Sequence, residues 1–501
     1  MPFRRETGAS KCSVVMHSDN HPCGRPIYVP KSGMSSLRVC VMHSDDPSKP
    51  TEEFQQEIES ILAGKSEHNR VPGVCDFTGF VFPVCDLSAR TFRLKMQFHG
   101  AKFNCDARFV QAVFGDDADF SNCEFRKKAF FSSSRFVRQV RFFRALFKDE
   151  AFFAFCRCNS ESEFGYARFS SSALFQGSRF SASAGFVSSI FSGEVNFSGM
   201  VVGPAVEEES APTSTEHGAS ARPVMDFRNA NFHKPHDVIF YQVNTASLQG
   251  FRVRFAHCSR LDEIEFEDVN WNRRGRRRII LQDELDLAES ETQSGTNHEL
   301  VANAYRKLMK NFDNARHYDL SEDCFCGAME MRRLSPDNLF AARFRPIDRL
   351  YRKNRWLRSL GRSFSVVSFY RFLSNYGSSY VRAWIILGLL FLAFVVSYPA
   401  LGLRMVDSVD ISPQRQAQQI SGLRSEQPNQ VFFWSSARAS IDFLRILGAG
   451  FWMTLDQATF RKSPSVEPVT KWGRRLALVE MVVIPGQLAL VLLALRRRLR
   501  R

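Results

Sequence analysis

Between Phe92 and Phe197 a phenylalanine recurs at alternating intervals of six and five residues. The series is Phe92, Phe98, Phe103, Phe109, Phe114, Phe120, Phe125, Phe131, Phe136, Phe142, Phe147, Phe153, Phe164, Phe169, Phe175, Phe180, Phe186, Phe191 and Phe197, with Cys158 as its one interruption. Phenylalanine makes up 48 of 501 residues, so composition does not account for nineteen hits in twenty slots. A small residue precedes most of these positions by two, as at Ala107, Ala129, Ser134, Ala151 and Ser178. The period is too short for a helical hairpin repeat and fits neither an amphipathic helix nor a long alternating strand. It predicts a β-solenoid in which each unit forms one short side of a coil. The small residue and the phenylalanine point inward, the other positions point outward, and backbone groups pair with the next coil.

The pattern starts in degenerate form near residue 74, runs to 202, and resumes less regularly over 225–272. The interval 203–224 carries a Glu run with Ser, Thr and Pro and reads as a disordered insertion. Before the repeats, Phe54, Ile58, Ile61 and Leu62 lie on one face of a short helix within 51–73, placed to cap the open first coil. After them, 273–299 reads as a basic-then-acidic linker beyond a boundary at Trp271. Residues 300–335 form an antiparallel helical hairpin with apolar stripes at Leu300, Ala304, Tyr305, Leu308 and at Leu320, Cys324, Ala328, Met331. Cys324 and Cys326 fall on different faces and make no metal pair.

Ala383 to Leu403 contain no charge and are long enough to cross a bilayer, as is the segment 476–495. The segment 343–382 interleaves arginines with aromatic residues, a composition suited to an anionic leaflet, and RRRLRR follows the second span. These cationic flanks place the N-terminal domain and the tail at 496–501 in the cytoplasm, with 404–475 between the spans. Within 404–475, residues 441–460 read as an amphipathic or re-entrant helix carrying Asp442, Arg445 and Asp456.

Charge changes the picture little. The chain has net charge +15, but residues 74–200 hold sixteen Lys plus Arg against twelve Asp plus Glu, an interspersed excess. The dense basic runs flank the apolar spans, which favours a lipid surface over nucleic acid as partner. MPFRRETGASKC lacks an apolar stretch of the signal-peptide kind. The twelve cysteines follow no secreted disulfide framework, so a reduced compartment is expected for the N-terminal two thirds.

Candidate chemistry lies at 1–50. Cys12, Cys23, Cys40 and His43, with ten, sixteen and two intervening residues, offer a Cys₃His set for a structural tetrahedral zinc, with no open coordination position. His17 and His21 are alternative ligands, and the VMHSD sequence around His17 recurs around His43. A flexible terminus with incidental cysteines is the other reading. In the spans, Glu480 is the one ionised group; an ion pair with Arg474 or Arg475 is the expectation, with Gln487 and Pro485 as an alternative polar helix contact. No nucleophile elbow, P-loop, dinucleotide fingerprint or HExxH occurs, so a non-enzyme is expected.

The small-x-Phe-x-x units resemble pentapeptide repeats, a family that forms right-handed quadrilateral β-helices. The regular sixth residue departs from a strict five-residue unit and leaves the residues per coil open. CGRPIY, VMHSDDPSK and FQQEIESIL ahead of DFTGFVFP, then AYRKLMKNFDNARHYDLSEDCFCGAMEMRR, NYGSSYVRAW and VEMVVIPGQLALVLLALRRRLRR, resemble a bacterial subgroup of pentapeptide-repeat membrane proteins. The resemblance implies a multi-pass protein of the bacterial inner membrane. It fits a non-enzymatic scaffold for an unidentified protein partner, with a second copy of the chain as a further candidate. Two spans around a re-entrant helix also match the plan of a two-helix cation channel, although TLDQATF stands where a TVGYG filter would be needed. DNA mimicry, known in the family, needs an acidic rod, and this one is slightly basic.

Overall fold

A computed structural model describes residues 11–29, 38–203, 222–245, 250–289, 297–335, 366–405, 431–432, 440–460 and 466–499. Residues 204–221 of the expected insertion (203–224), 290–296 of the linker (273–299) and 343–365 of the basic segment (343–382) lie outside the described residues. The chain divides into two units, Met1–Ser335 and Pro336–Arg501.

In the first unit, two- to four-residue strands from Val74–Asp76 to Glu265–Glu267 stack into four parallel sheets of seven or eight strands, one strand from each sheet per coil. Ala107 pairs with Ala129, and Ala129 with Ala151, so one coil takes 22 residues. A strict five-residue unit would give two fewer. Two kinds of corner explain the difference. After Phe120 and Phe131 the chain turns through a left-handed residue, Asn122 (φ 56°) and Ser133 (φ 60°), and the turn closes with Cys123 and Ser134 N–H donating back to the Phe120 and Phe131 carbonyls. After Phe125 and Phe136 the sixth residue widens the bend, and no residue between 126 and 130 or between 137 and 141 has positive φ. Tight and wide corners therefore alternate as the five and six of the sequence.

All nineteen phenylalanines are buried, none more than 6% exposed. They form four ladders. Phe103, Phe125, Phe147, Phe169 and Phe191 stack at 4.7–4.9 Å with planes within 2° of parallel, the spacing that parallel strands impose. Parallel stacking alone is not the preferred aromatic geometry; rings on adjacent sides meet edge to face, as Phe109 and Phe120 do at 5.5 Å and 80°. The fourth ladder runs Phe92, Phe114, Phe136, Cys158, Phe180 and Val202, the register placing Cys158 between two phenylalanines. Polar small residues at the tight corners tie coils together: Ser134 and Ser189 Oγ donate to the Phe109 and Phe164 carbonyls at 2.6 Å, and Cys123 and Cys156 Sγ do so to Phe98 and Phe131 at 3.0 and 2.9 Å. These cysteines are inert packing donors.

After β-strand Val201–Val202 the next described strand begins at Met225, and Met225 still pairs with Ala184. The long connection therefore leaves and re-enters at a corner without shifting the register.

Both ends of the solenoid are covered. Helix α1 (Thr51–Leu62) buries Phe54, Ile58 and Ile61 and sets the Phe54 ring edge-on to Phe80 and Phe82 of the first coil. At the other end, where a linker is expected, α2 (Gln282–Glu289) packs on the last coils. Its Asp283 carboxylate accepts from the Phe255 N–H at 2.7 Å. The helical hairpin follows as α3 (His298–Asn314) and α4 (Tyr318–Leu334). Phe312 of α3 meets Phe266 and Trp271, and Asn311 donates to the Leu261 and Ile264 carbonyls at 3.0 and 2.6 Å. Residues after Trp271 thus finish the solenoid and do not leave it. Their sequence hides this, because QDELDLAE has almost no apolar stripe and is held through polar groups.

Asp283 supplies a pH test of this cap. Burial pushes its carboxyl up to about 7, and among the described residues Oδ1 has no hydrogen-bond partner. Between the ordinary carboxylate range near 4 and pH 7 the folded state then holds a proton that the unfolded state has released, so stability falls as pH rises through that window. The cap is expected to be more stable at pH 5 than at pH 8, and Asp283→Asn to flatten the difference, read as amide exchange of α2 at the two pH values.

The second unit contains α5 (Val366–Ser374), α6 (Tyr380–Leu401), α7 (Ser440–Ala458) and α8 (Lys471–Leu499). A small antiparallel sheet joins Leu403–Met405 to Val431–Phe432 and Val466–Pro468. Helices α6 and α8 are long and apolar enough to cross a membrane. Helix α7, the expected amphipathic segment, crosses α6 closely: a Cβ on Gly450 would lie 2.4 Å from the Val395 carbonyl oxygen and 3.3 Å from Pro399.

Candidate metal centre

The four N-terminal ligands come together through two local turns. Residues 11–26 form a hairpin in which Cys12 N–H donates to the Arg25 carbonyl (2.8 Å) and Cys23 N–H to the Val14 carbonyl (2.7 Å), setting the two thiols side by side. Gly24, at φ 72°, lets the hairpin strand leave Cys23 in a left-handed turn. The second pair sits on a knuckle closed by His43 and Ser44 N–H donating to the Cys40 carbonyl. All four side chains are buried, and their ligating atoms lie within 4.8 Å of one another.

The distances suit a tetrahedral ion. Cys23 and Cys40 Sγ are 3.8 Å apart, and His43 Nδ1 is 3.1 Å from Cys40 Sγ and 3.5 Å from Cys12 Sγ. Metal bonds of about 2.3 Å to sulfur and 2.0–2.1 Å to nitrogen at tetrahedral angles require edges of about 3.8 and 3.5 Å. The surroundings complete the set. The Thr78 carbonyl, which can only accept, lies 2.9 Å from His43 Nε2, so the proton sits on Nε2 and the Nδ1 lone pair faces the sulfurs. Arg25 donates to Cys23 Sγ at 3.2 Å and is held by Glu57 at 2.7 Å, putting one positive charge beside the thiolates. Without a cation the crowded thiols drive each other apart in proton affinity: the Cys23 side chain holds Cys12 well below the usual thiol range, while Cys12 pushes Cys40 up. The residues therefore fit a metal ion, whose chemistry here is to fix four side chains and leave no position for a substrate.

The centre also joins the module to the solenoid. Beside His43 on Thr78, Val81 N–H donates to the Met42 carbonyl at 2.8 Å, and Lys49 Nζ donates to the carbonyls of Val41, Ser44 and Val81. The alternative ligands stay out of the set. His21 N–H donates to Asp19 Oδ1, and His17 stacks on His99 of the second coil.

In the second unit, Glu480 is fully buried, and its expected pairing with Arg474 or Arg475 is not what forms. Tyr398 of α6 donates to its Oε2, and Arg475 lies over the Trp472 ring instead. The tyrosine lies 82 residues upstream in sequence, beyond what spacing along one helix reveals. Gln487 makes the polar helix contact, donating to the Ala383 carbonyl at 3.0 Å. Among the described residues Glu480 Oε1, Gln487 Oε1 and Thr454 Oγ1 are buried and have no hydrogen-bond partner.

A sealed four-sided phenylalanine solenoid with a metal-competent end module defines a repeat protein, one that carries two helices able to cross a membrane. No protein-family model, no curated protein and no solved structure matches the chain.

Proposed function

We propose that this is a bacterial pentapeptide-repeat protein of the inner membrane, anchored by α6 and α8 with both termini cytoplasmic, whose solenoid is a non-enzymatic protein-interaction scaffold. The observation that carries the reading is the contrast between inside and outside. Most coils repeat the same kinds of buried residue, phenylalanine and small side chains, while the outward residues vary, as along Arg108, Phe130, Phe152, Leu174 and Asn196 of one face. An interior filled by rings leaves no room for a substrate, and the faces are free to specialise. In this reading Cys12, Cys23, Cys40 and His43 hold a structural zinc. Photo-crosslinkers placed in cells at outward positions on each of the four faces test the scaffold. Adducts of one mass, confined to one face, support it; background-level adducts from all four faces sink it.

A second reading, conduction, is favoured by the partnerless buried oxygens of Glu480, Gln487 and Thr454, since buried polar groups inside membrane helices mark ion pathways. Cation flux through the full-length protein in liposomes that changes in Glu480→Gln is the expected result if the unit conducts. Flux no greater than from empty liposomes leaves the helices as an anchor.

A further inference from the structure

We infer that His17, His99 and Asp119 form a second site, for a divalent transition-metal ion, where the N-terminal module meets the solenoid. The three ligating atoms lie within 4.8 Å of one another. They come from the module hairpin and from two consecutive coils, so the fold brings together residues 82 and 102 positions apart.

Two of the three ligands show an unmet requirement. His99 Nδ1 is buried and, among the described residues, has no hydrogen-bond partner, an uncommon state for an imidazole nitrogen. Its Nε2 lies 3.3 Å from Asn122 Nδ2, an amide that presents its oxygen to the ring instead when turned over. With the amide oxygen turned toward the ring, Nε2–H donates and the Nδ1 lone pair is free to ligate. Asp119 is 7% exposed, and among the described residues no cation pairs with it. Arg141, opposite it in the next coil, reaches Glu163 instead, at 3.9 Å. The carboxylate is already aimed: Oδ2 accepts from Gln97 Nε2 and Oδ1 from Ser121 N–H, both at 2.8 Å. A nearly buried carboxylate without a cation is costly, and a metal ion supplies the charge.

His17 is the exposed member. Its backbone N–H is fixed on Thr78 Oγ1 at 3.2 Å, but its ring is exposed and lies parallel to His99 at 4.2 Å. Nitrogens sharing a tetrahedral ion stand about 3.3 Å apart, so the exposed ring closes the site by a small swing. Two imidazoles and one carboxylate select zinc, cobalt, nickel or iron over calcium or magnesium. Three protein ligands leave a coordination position toward solvent, unlike the closed Cys₃His set.

The test is cobalt(II) titration of the full-length protein in detergent, followed by absorbance and by bound metal per chain. The expected result is two equivalents, one with the intense thiolate-to-cobalt band and one without it. His17→Ala, at an exposed position, and Asp119→Asn should each weaken the band-free equivalent about tenfold or more and leave the other in place. Cys40→Ser should remove the thiolate band and, because it unfolds the module that carries His17, the second equivalent with it, whereas His17→Ala and Asp119→Asn weaken the second alone. A wild-type protein that takes up no band-free equivalent overturns the inference, as does a band-free equivalent that persists unchanged in His17→Ala.

Discussion

Phe142→Asp is expected to abolish cooperative folding of the solenoid. Phe142 is fully buried, stacks on Phe120 and Phe164 at 5.0 Å and meets Phe131 and Phe153 edge to face at 5.2 and 5.3 Å. Removing such a ring costs about 3–5 kcal/mol, and an unpaired buried carboxylate adds several more. Together these rival the whole stability of an ordinary domain, about 5–15 kcal/mol. Because each coil touches only its neighbours, damage should begin there and spread in both directions. Limited proteolysis should cut first between residues 120 and 164, and the thermal transition by circular dichroism should broaden or vanish. Phe142→Leu should cost far less. A Phe142→Asp protein with wild-type melting would refute the ladder as the source of stability.

Losing the first metal centre is the second large effect. The module has few large apolar side chains, and ion binding to such sites supplies about 10–16 kcal/mol at neutral pH. Cys40→Ser is expected to release the ion held by Cys12, Cys23, Cys40 and His43 and to unfold residues 11–29 and 38–44, and a strong chelator to do the same while also emptying the site of His17, His99 and Asp119. Hydrogen exchange should rise there and at Thr78 and Val81, which the module contacts, while amides at 98–197 keep their protection. Unchanged exchange of the module after ion removal would show that its packing against Phe54 and Phe80 suffices.

What could be read from the chain follows from which positions the fold constrains repeatedly. An inward phenylalanine must recur on every side of every coil, so its periodicity survives in one sequence and predicts the solenoid. The 22-residue coil also lay in the five-six alternation, but became interpretable only with the left-handed turns at Asn122 and Ser133. The Cys₃His set was legible because both of its pairs are held by short local turns. His99 and Asp119 were not, since they occupy outward repeat positions where any residue is tolerated and meet His17 only through the coil register. Tyr398 was missed as the partner of Glu480 for the same reason, being on another helix.

The two covered ends bear on how the protein behaves as a population of molecules. A stack of in-register parallel strands is a template at either terminus, able to accept another chain as readily as another coil. Here α1 and the metal-competent module occupy one terminus and α2 with α3 the other. They act as chain stoppers in the polymer sense, setting a finite length on a structure that has no internal reason to end. Stripping the ion would loosen the stopper at one terminus only, so growth would stop at a pair of particles for as long as α2 and α3 hold the other.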